Sequence, residues 1–185
     1  MSFAQRYLNQ QQYLSVLATT NFDIAVVIPC FNEPFLHQTI ECLMLCSKPQ
    51  TRVMVLVVVN SPEQASPEAL QQNAQSLQWM RMVKAEFPEW MQLETIEVPN
   101  IPRKLAGAGW ARKLGMDAVL HGFDQQNKPR GIIVSLDADC TVEPTYLVEI
   151  ERFFAQNPSI ETATIAFEHP IDELPPHSEL TEAIT

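Results

Sequence analysis

The sequence predicts an α/β sandwich with a mainly parallel central sheet. Short apolar segments rich in β-branched residues alternate with longer segments of helical pattern, and strands joined through helices pair in parallel. The 185 residues are 46% apolar and 18% charged, which suits one globular domain with a full core. We therefore expect an N-terminal helix at 1–20, an α/β core at 22–168 and an acidic tail at 169–185.

The expected strands are short, apolar and bounded by residues that favour turns or carry polar side chains. Pro29 is expected to close the first strand, and Asn60 follows the second. A turn at 128–131 precedes the fourth strand. The five predicted strands are 23–28, 52–59, 93–98, 132–136 and 160–167.

The expected helices are identified by their end signals as well as by their apolar positions. Asn32 can cap the helix that follows it, with Pro34 in the first turn. Ser66 opens a long helix that Pro88 ends. Further helices are predicted at 2–18, 107–123 and 146–154.

Charge and targeting signals limit the partners. A net charge of −10 and a pI near 4.8 argue against a nucleic-acid-binding face, although Arg103, Lys104, Arg112 and Lys113 cluster. Residues 1–20 lack a signal-peptide pattern, and no apolar run could span a bilayer. With four cysteines interpreted as reduced thiols, we expect a protein of the cytoplasm or of the inner membrane surface, without a transmembrane segment.

The most informative segment ends the fourth predicted strand with Asp137 and Asp139. Residues two apart in an extended chain can point the same way, and open α/β sheets bind ligands at the carboxyl ends of their strands. Two such carboxylates suit Mg²⁺ or Mn²⁺ completed by a phosphorylated ligand. The simpler alternative is a helix cap and an exposed acid before the helix expected near Glu143.

Three loops are expected to meet at this edge of the sheet: 29–33, 60–61 and 137–139. A basic segment, 103–109, opens the helix that carries Arg112, and a glycine-containing helix start can accept a phosphate. The Gly107-x-Gly109 pair is not a dinucleotide-binding fingerprint, because it follows the third strand rather than the first.

The ordered segments VIPCFNE at 27–33, KLAGAGWAR at 104–112 and LDAD at 136–139 resemble family 2 glycosyltransferases. The resemblance covers residues 22–168 and implies the GT-A fold, a three-layer α/β/α sandwich, of which this chain has the N-terminal, donor-binding half. It implies a metal-dependent hexosyltransferase that takes a sugar from a UDP-, GDP- or TDP-linked donor to a saccharide, lipid or small-molecule acceptor.

The resemblance also implies a role for each matched residue. Asp139 would bind Mn²⁺ or Mg²⁺ directly, with Asp137 facing the ribose or the metal. Asn60 stands where many members carry an aspartate that accepts from uracil N3–H, so guanosine and thymidine stay open besides uridine. The nucleotide-sugar-binding residues implied are Pro29, Phe31, Asn32, Glu33, Asn60, Lys104, Gly107, Arg112, Asp137 and Ala138.

The catalytic residue stays unknown at this stage. Family members use a carboxylate base well downstream of the Asp-x-Asp, and the candidates within reach are Glu168, His169, Asp172 and Glu173. The alternatives are a truncated or non-catalytic sugar-nucleotide-binding domain and, less favoured, a nucleotidyltransferase, whose first loop should be glycine-rich and basic. A receiver domain would place its acid pair after the first strand, where Asn32 and Glu33 stand.

Overall fold

The structure, a computed structural model, describes Leu17 and residues 20–168. The chain divides into two compact units, Met1–Phe153 and Phe154–Thr185. The strands are β1 (Ile24–Cys30), β2 (Val53–Pro62), β3 (Met91–Ile101) and β4 (Ile132–Ser135). The helices are α1 (Leu36–Met44), α2 (Pro67–Val83), α3 (Ala108–Gln125) and α4 (Tyr146–Gln156), with a short 3₁₀ turn at Lys84–Glu86.

The four strands form one parallel sheet in the order β3-β2-β1-β4. From β1 through β2 to β3, the chain moves in one direction across the sheet. After β3 it crosses back, so that β4 lies on the other side of β1. Because parallel crossovers are right-handed, α1 and α2 cover one face and α3 the other. The expected α/β/α fold class is confirmed.

Strands β1 and β2 are buried on both faces, which explains their continuous apolar runs. On the α3 side, Phe22 and Phe123 stack with ring centroids 4.9 Å apart. Gly115 lets α3 approach the sheet, because a Cβ there would collide with Val27 and lie 2.9 Å from Cγ2 of Val58. Helix α3 is thereby held close against the two central strands.

Pro29 does not end β1, contrary to expectation: the strand continues to Cys30, which pairs with Val59. The Leu136 amide donates to the Val27 carbonyl at 3.1 Å, so alternate residues of β1 face β4. Position 29 also faces that side, beyond the last residue of β4, where a missing N–H breaks no hydrogen bond. A proline is therefore tolerated inside a central strand.

Two further expectations about the elements are wrong. Asn32 does not cap α1: the helix begins at Leu36 with Phe35 at its N-cap, while Asn32 takes a left-handed backbone with φ of 52°. In residues 154–168, the described part of the second unit, no strand forms at 160–167, and Phe167 is 80% exposed. Apolar alternation favours an extended chain, but a strand also needs a hydrogen-bonding neighbour.

The predicted helix at 2–18, apart from Leu17, and the acidic tail at 169–185 lie outside the described residues. The interpretation of 1–185 as a single nucleotide-sugar-binding domain stays a prediction.

Candidate functional site

The carboxyl ends of β1, β2 and β4 bring the three expected loops to one edge of the sheet. Cys30 pairs with Val59 near the ends of β1 and β2. Leu136 follows β4 and donates its amide to Val27 of β1. Segments 31–33 and 137–139 therefore leave the sheet side by side, as the sequence predicts. Asn60 and Ser61, expected in a loop after the second strand, instead lie inside β2, where Asn60 pairs with Val98.

Asp137 and Asp139 both lie exposed at this edge, with Ala138 buried between them. The Thr39 hydroxyl of α1 donates to the Ala138 carbonyl at 2.8 Å and fixes the backbone between the two acids. Helix α4 begins only at Tyr146, so neither acid caps it. Both acidic residues are therefore open to solvent.

Helix α3 brings a cation to the first of these acids. The Arg112 guanidinium donates from Nη2 to Oδ1 of Asp137, in an ion pair whose side chains are 32% and 58% exposed. The buried Nε of Arg112 has no hydrogen-bond partner within the described part of the chain. Such an exposed pair contributes little to stability, so its charges remain available to a ligand.

Buried asparagines connect the other loops. Asn73 of α2 accepts from the Asn32 amide through Oδ1 at 2.8 Å and donates from Nδ2 to the Asn60 carbonyl at 3.0 Å. The Asn60 side chain donates in turn to the Gly107 carbonyl at 3.5 Å. Its own Oδ1 is buried without a partner among the described residues.

Sequence reasoning missed Asn73. Its position carried a signal, because it recurs at helical spacing with Ala69, Leu77 and Met80 on the buried side of α2. A polar residue on such an apolar stripe is expected to have a hydrogen-bonding partner.

Gly107 stands at the N-cap of α3 with φ of 144°, a backbone region that only glycine adopts without strain. No described heavy atom lies within 4 Å of where its Cβ would be, so the space in front of the helix is open. Lys104 is exposed in the preceding loop, whereas Lys113 pairs with Asp117 of its own helix. Lys104 and Arg112, but not Lys113, therefore flank the open helix start.

Segment 31–33 forms the exposed rim beside β1. Phe31 is partly exposed. Glu33 is held at both ends, since its carboxylate accepts from the Phe35 amide at 2.9 Å and its carbonyl from Nε2 of Gln72 at 3.4 Å. The loop is thus ordered by its own contacts.

The cysteines beside the site are neutral thiols. Burial raises the pKa of Cys30 to about 12, with the Glu33 carboxylate as the second cause. Burial also raises the pKa of Cys140, followed by the charges of Asp139 and Asp137. Because thiolate is the reactive form, neither residue is suited to act as a nucleophile near neutral pH.

The donor set at the edge suits a hard divalent ion that shares its ligands with a substrate. Among Leu17 and residues 20–168, no group of three or more His, Cys, Asp or Glu side chains could hold a metal. Mg²⁺ commonly uses one or two carboxylates, water and substrate phosphates instead. Asp137 and Asp139 fit that pattern.

None of the expected base candidates falls within the described part of the first compact unit. Glu168 is exposed and belongs to the second compact unit. His169, Asp172 and Glu173 lie outside the described residues.

Comparison with known proteins identifies the family. The model for glycosyl transferase family 2 matches residues 25–179. The chain belongs to this family. Within the described ranges, none of this family 2 protein's helices combines the length and apolar character needed to cross a bilayer.

Solved structures similar to this family 2 protein include TarS 1-349 from S. aureus with UDP, at 16% identity and a TM-score of 0.48, covering 72% of this chain and 32% of that one. The UDP-GlcNAc complex of TarS 1-349 matches at 16% identity and a TM-score of 0.46, covering 72% and 31%. The mannosyltransferase PcManGT from Pyrobaculum calidifontis, with GDP-Man and Mn²⁺, matches at 18% and 0.42, covering 82% and 38%.

The chain thus spans about a third of the length of the first of these structures, which is 32% for TarS 1-349 with UDP. No curated protein matches it.

Proposed function

We propose that this family 2 protein transfers a sugar from a nucleoside-diphosphate donor to an acceptor hydroxyl with the help of Mn²⁺ or Mg²⁺. The observation that carries the proposal is the exposed pair Asp137 and Asp139 at the sheet edge, beside Arg112 and the open start of α3. Acids, a cation and a free helix N-terminus together suit a metal-bound diphosphate.

The nucleoside would lie against the ends of β1 and β2. Phe31 offers a partly exposed ring, and Asn32 and Glu33 form the rim beside it. Asn60 offers an acceptor that has no described partner, while its NH₂ group is engaged by the Gly107 carbonyl. An acceptor matches uracil or thymine N3–H and guanine N1–H, but not the unprotonated ring nitrogens of cytosine and adenine.

The diphosphate would lie at the start of α3, between Lys104 and Arg112. Gly107 leaves its backbone open to close approach, and Arg112 has an unused N–H besides the one given to Asp137. A divalent ion held by Asp139 and Asp137 would offset the charge that develops on the leaving diphosphate. Lys104 and Arg112 would bind and orient the diphosphate oxygens from the side opposite the divalent ion.

Isothermal titration tests this proposal. UDP, GDP and TDP are expected to bind with a Kd below about 1 mM, the usual upper range for enzyme substrates, and only when Mn²⁺ or Mg²⁺ is present. CDP and ADP should bind about tenfold more weakly, because they leave the Asn60 oxygen unpaired. If none of the five nucleotides binds in a metal-dependent way, the proposal is contradicted.

A second candidate is a sugar-nucleotide-binding domain without transfer activity. It is favoured by the residues of the first compact unit, since its described part includes none of the four base candidates. Incubation with donor sugars and a panel of saccharide, lipid and small-molecule acceptors separates the two. Product or donor hydrolysis that depends on Asp139 eliminates the binding-only alternative.

The four free cysteines fit a reducing compartment. We accordingly propose the cytoplasm, or the inner membrane surface, as the location.

A further inference from the structure

Asn73 of α2 touches both loops that the proposed nucleoside site needs. We propose that Asn73 is a positioning residue: it holds the loop after β1 against the end of β2, so that the nucleoside site is formed before the donor arrives. The inference rests on the proposed function, but it concerns a residue outside the predicted donor contacts.

The geometry requires a side-chain amide. Asn73 accepts from the Asn32 amide at 2.8 Å and donates to the Asn60 carbonyl at 3.0 Å, so one planar group must offer an acceptor and a donor at once. Asn73 is 7% exposed and Asn60 is 2% exposed, which leaves little water to replace either bond. Among side chains of this size and planar shape, asparagine and a protonated aspartic acid offer this combination.

The backbone that Asn73 holds is not fixed by the sheet alone. Asn32 lies beyond β1 with φ of 52°, outside any strand. Asn60 is the last residue of β2 before the register shift with β3, where it pairs with Val98, and the ladder with β1 ends one residue earlier at Val59. On the side of β1, α2 therefore provides the bonds that the sheet does not.

The connection continues to segment 103–109, which opens α3. Nδ2 of Asn60 donates a hydrogen bond to the Gly107 carbonyl at 3.5 Å, directly at the start of α3. Gln72, next to Asn73, donates to the Glu33 carbonyl at 3.4 Å. These longer bonds are weaker, so Asn73 is the residue on which the arrangement depends.

Three substitutions separate positioning from simple packing. Asn73→Asp keeps the shape: its protonated form accepts and donates as asparagine does, whereas its ionised form turns an acceptor toward the Asn60 carbonyl. Burial and that carbonyl raise the pKa of such a carboxyl. Asn73→Leu removes both bonds at any pH. Ser76→Ala is the control, because Ser76 is buried on the same helix but joined to neither loop in the described contacts.

The measurement is the Kd of UDP, GDP and TDP with Mn²⁺ by isothermal titration at pH 5 and pH 8, each relative to wild type at the same pH. We expect Asn73→Asp to bind within about threefold of wild type at pH 5 and about tenfold more weakly at pH 8, the order expected for losing buried hydrogen bonds. Asn73→Leu should bind about tenfold more weakly at both pH values. Ser76→Ala should match wild type.

Each outcome either supports or overturns the positioning role of Asn73. If wild type binds and both Asn73 variants bind equally well at both pH values, the positioning role is overturned and the proposed function stands. If wild type binds no nucleotide, the proposed function fails and takes this inference with it. Should Asn73→Leu fail to fold by circular dichroism, the pH profile of Asn73→Asp decides alone, since a purely structural role would lower its Tm without changing its Kd.

Discussion

The two halves of the sheet edge are built from different chemistry. At the ends of β1 and β2, buried neutral amides of Asn73 and Asn60 join the loops. At the end of β4 and the start of α3, Asp137, Asp139 and Arg112 are charged and reach solvent. Buried hydrogen bonds fix one geometry, whereas exposed charges can exchange partners at little cost. Under the proposed function, the first half would be preorganised for a base, and the second could rearrange around a metal and a diphosphate.

The largest expected effect comes from Asp139→Asn, which keeps the shape of the side chain and removes its charge. Mn²⁺-dependent binding of UDP, GDP and TDP should weaken by about 100-fold, since even groups behind metal ligands change affinity by about 10- to 100-fold. Isothermal titration with and without EDTA measures it. Glu86→Gln is the control, because Glu86 is an exposed acid before β3, at the opposite edge of the sheet. Equal losses in the two variants would contradict a metal role for Asp139.

A medium effect is expected from Gly107→Ala. The φ of 144° is strained for alanine, at a cost of about 1–3 kcal/mol, and relief of that strain would turn the helix start away from the diphosphate. We expect about tenfold weaker nucleotide binding and a lower free energy of unfolding. Gly109→Ala, inside α3 with no described atom within 4 Å of its Cβ, should leave both unchanged or raise stability slightly. Matching behaviour of the two variants would disprove the role of the Gly107 backbone.

The smallest effect is expected in the salt dependence of binding, measured as the Kd of UDP and of uridine at low and high NaCl. Raising NaCl from about 0.1 M to about 1 M shortens the Debye length from about 10 Å to about 3 Å. At constant Mn²⁺, UDP binding should weaken several-fold because it depends on exposed charges. Uridine, which meets only the amide half, should change less than about twofold. A parallel loss for both ligands, measured by titration, would erase the distinction between the halves.

Much of this arrangement follows from sequence, because it depends on local pattern. The strands and their order of appearance follow from apolar runs and turn residues. The placement of Asp137 and Asp139 just beyond the end of β4 follows from the apolar run that they terminate. The family follows from three ordered segments, at the end of β1, after β3 and after β4.

What the sequence did not reveal depends on partners far along the chain. Asn73 meets Asn32, 41 residues away, and nothing local marks that pair. The cap expected at Asn32 was lost because its backbone amide is engaged by α2 and its φ is left-handed. The strand expected at 160–167 required a pairing neighbour, which apolar alternation cannot supply.

Pro29 determines where the acids lie. By the repeat that joins the Leu136 amide to the Val27 carbonyl, the next donor toward β4 would be the amide of position 29, and proline has none. A longer β4 would leave the Leu136 carbonyl without a donor, so the chain departs from the sheet at Asp137. Pro29 of β1 thus ends the pairing of β4, and Asp137 and Asp139 follow directly where that pairing ends.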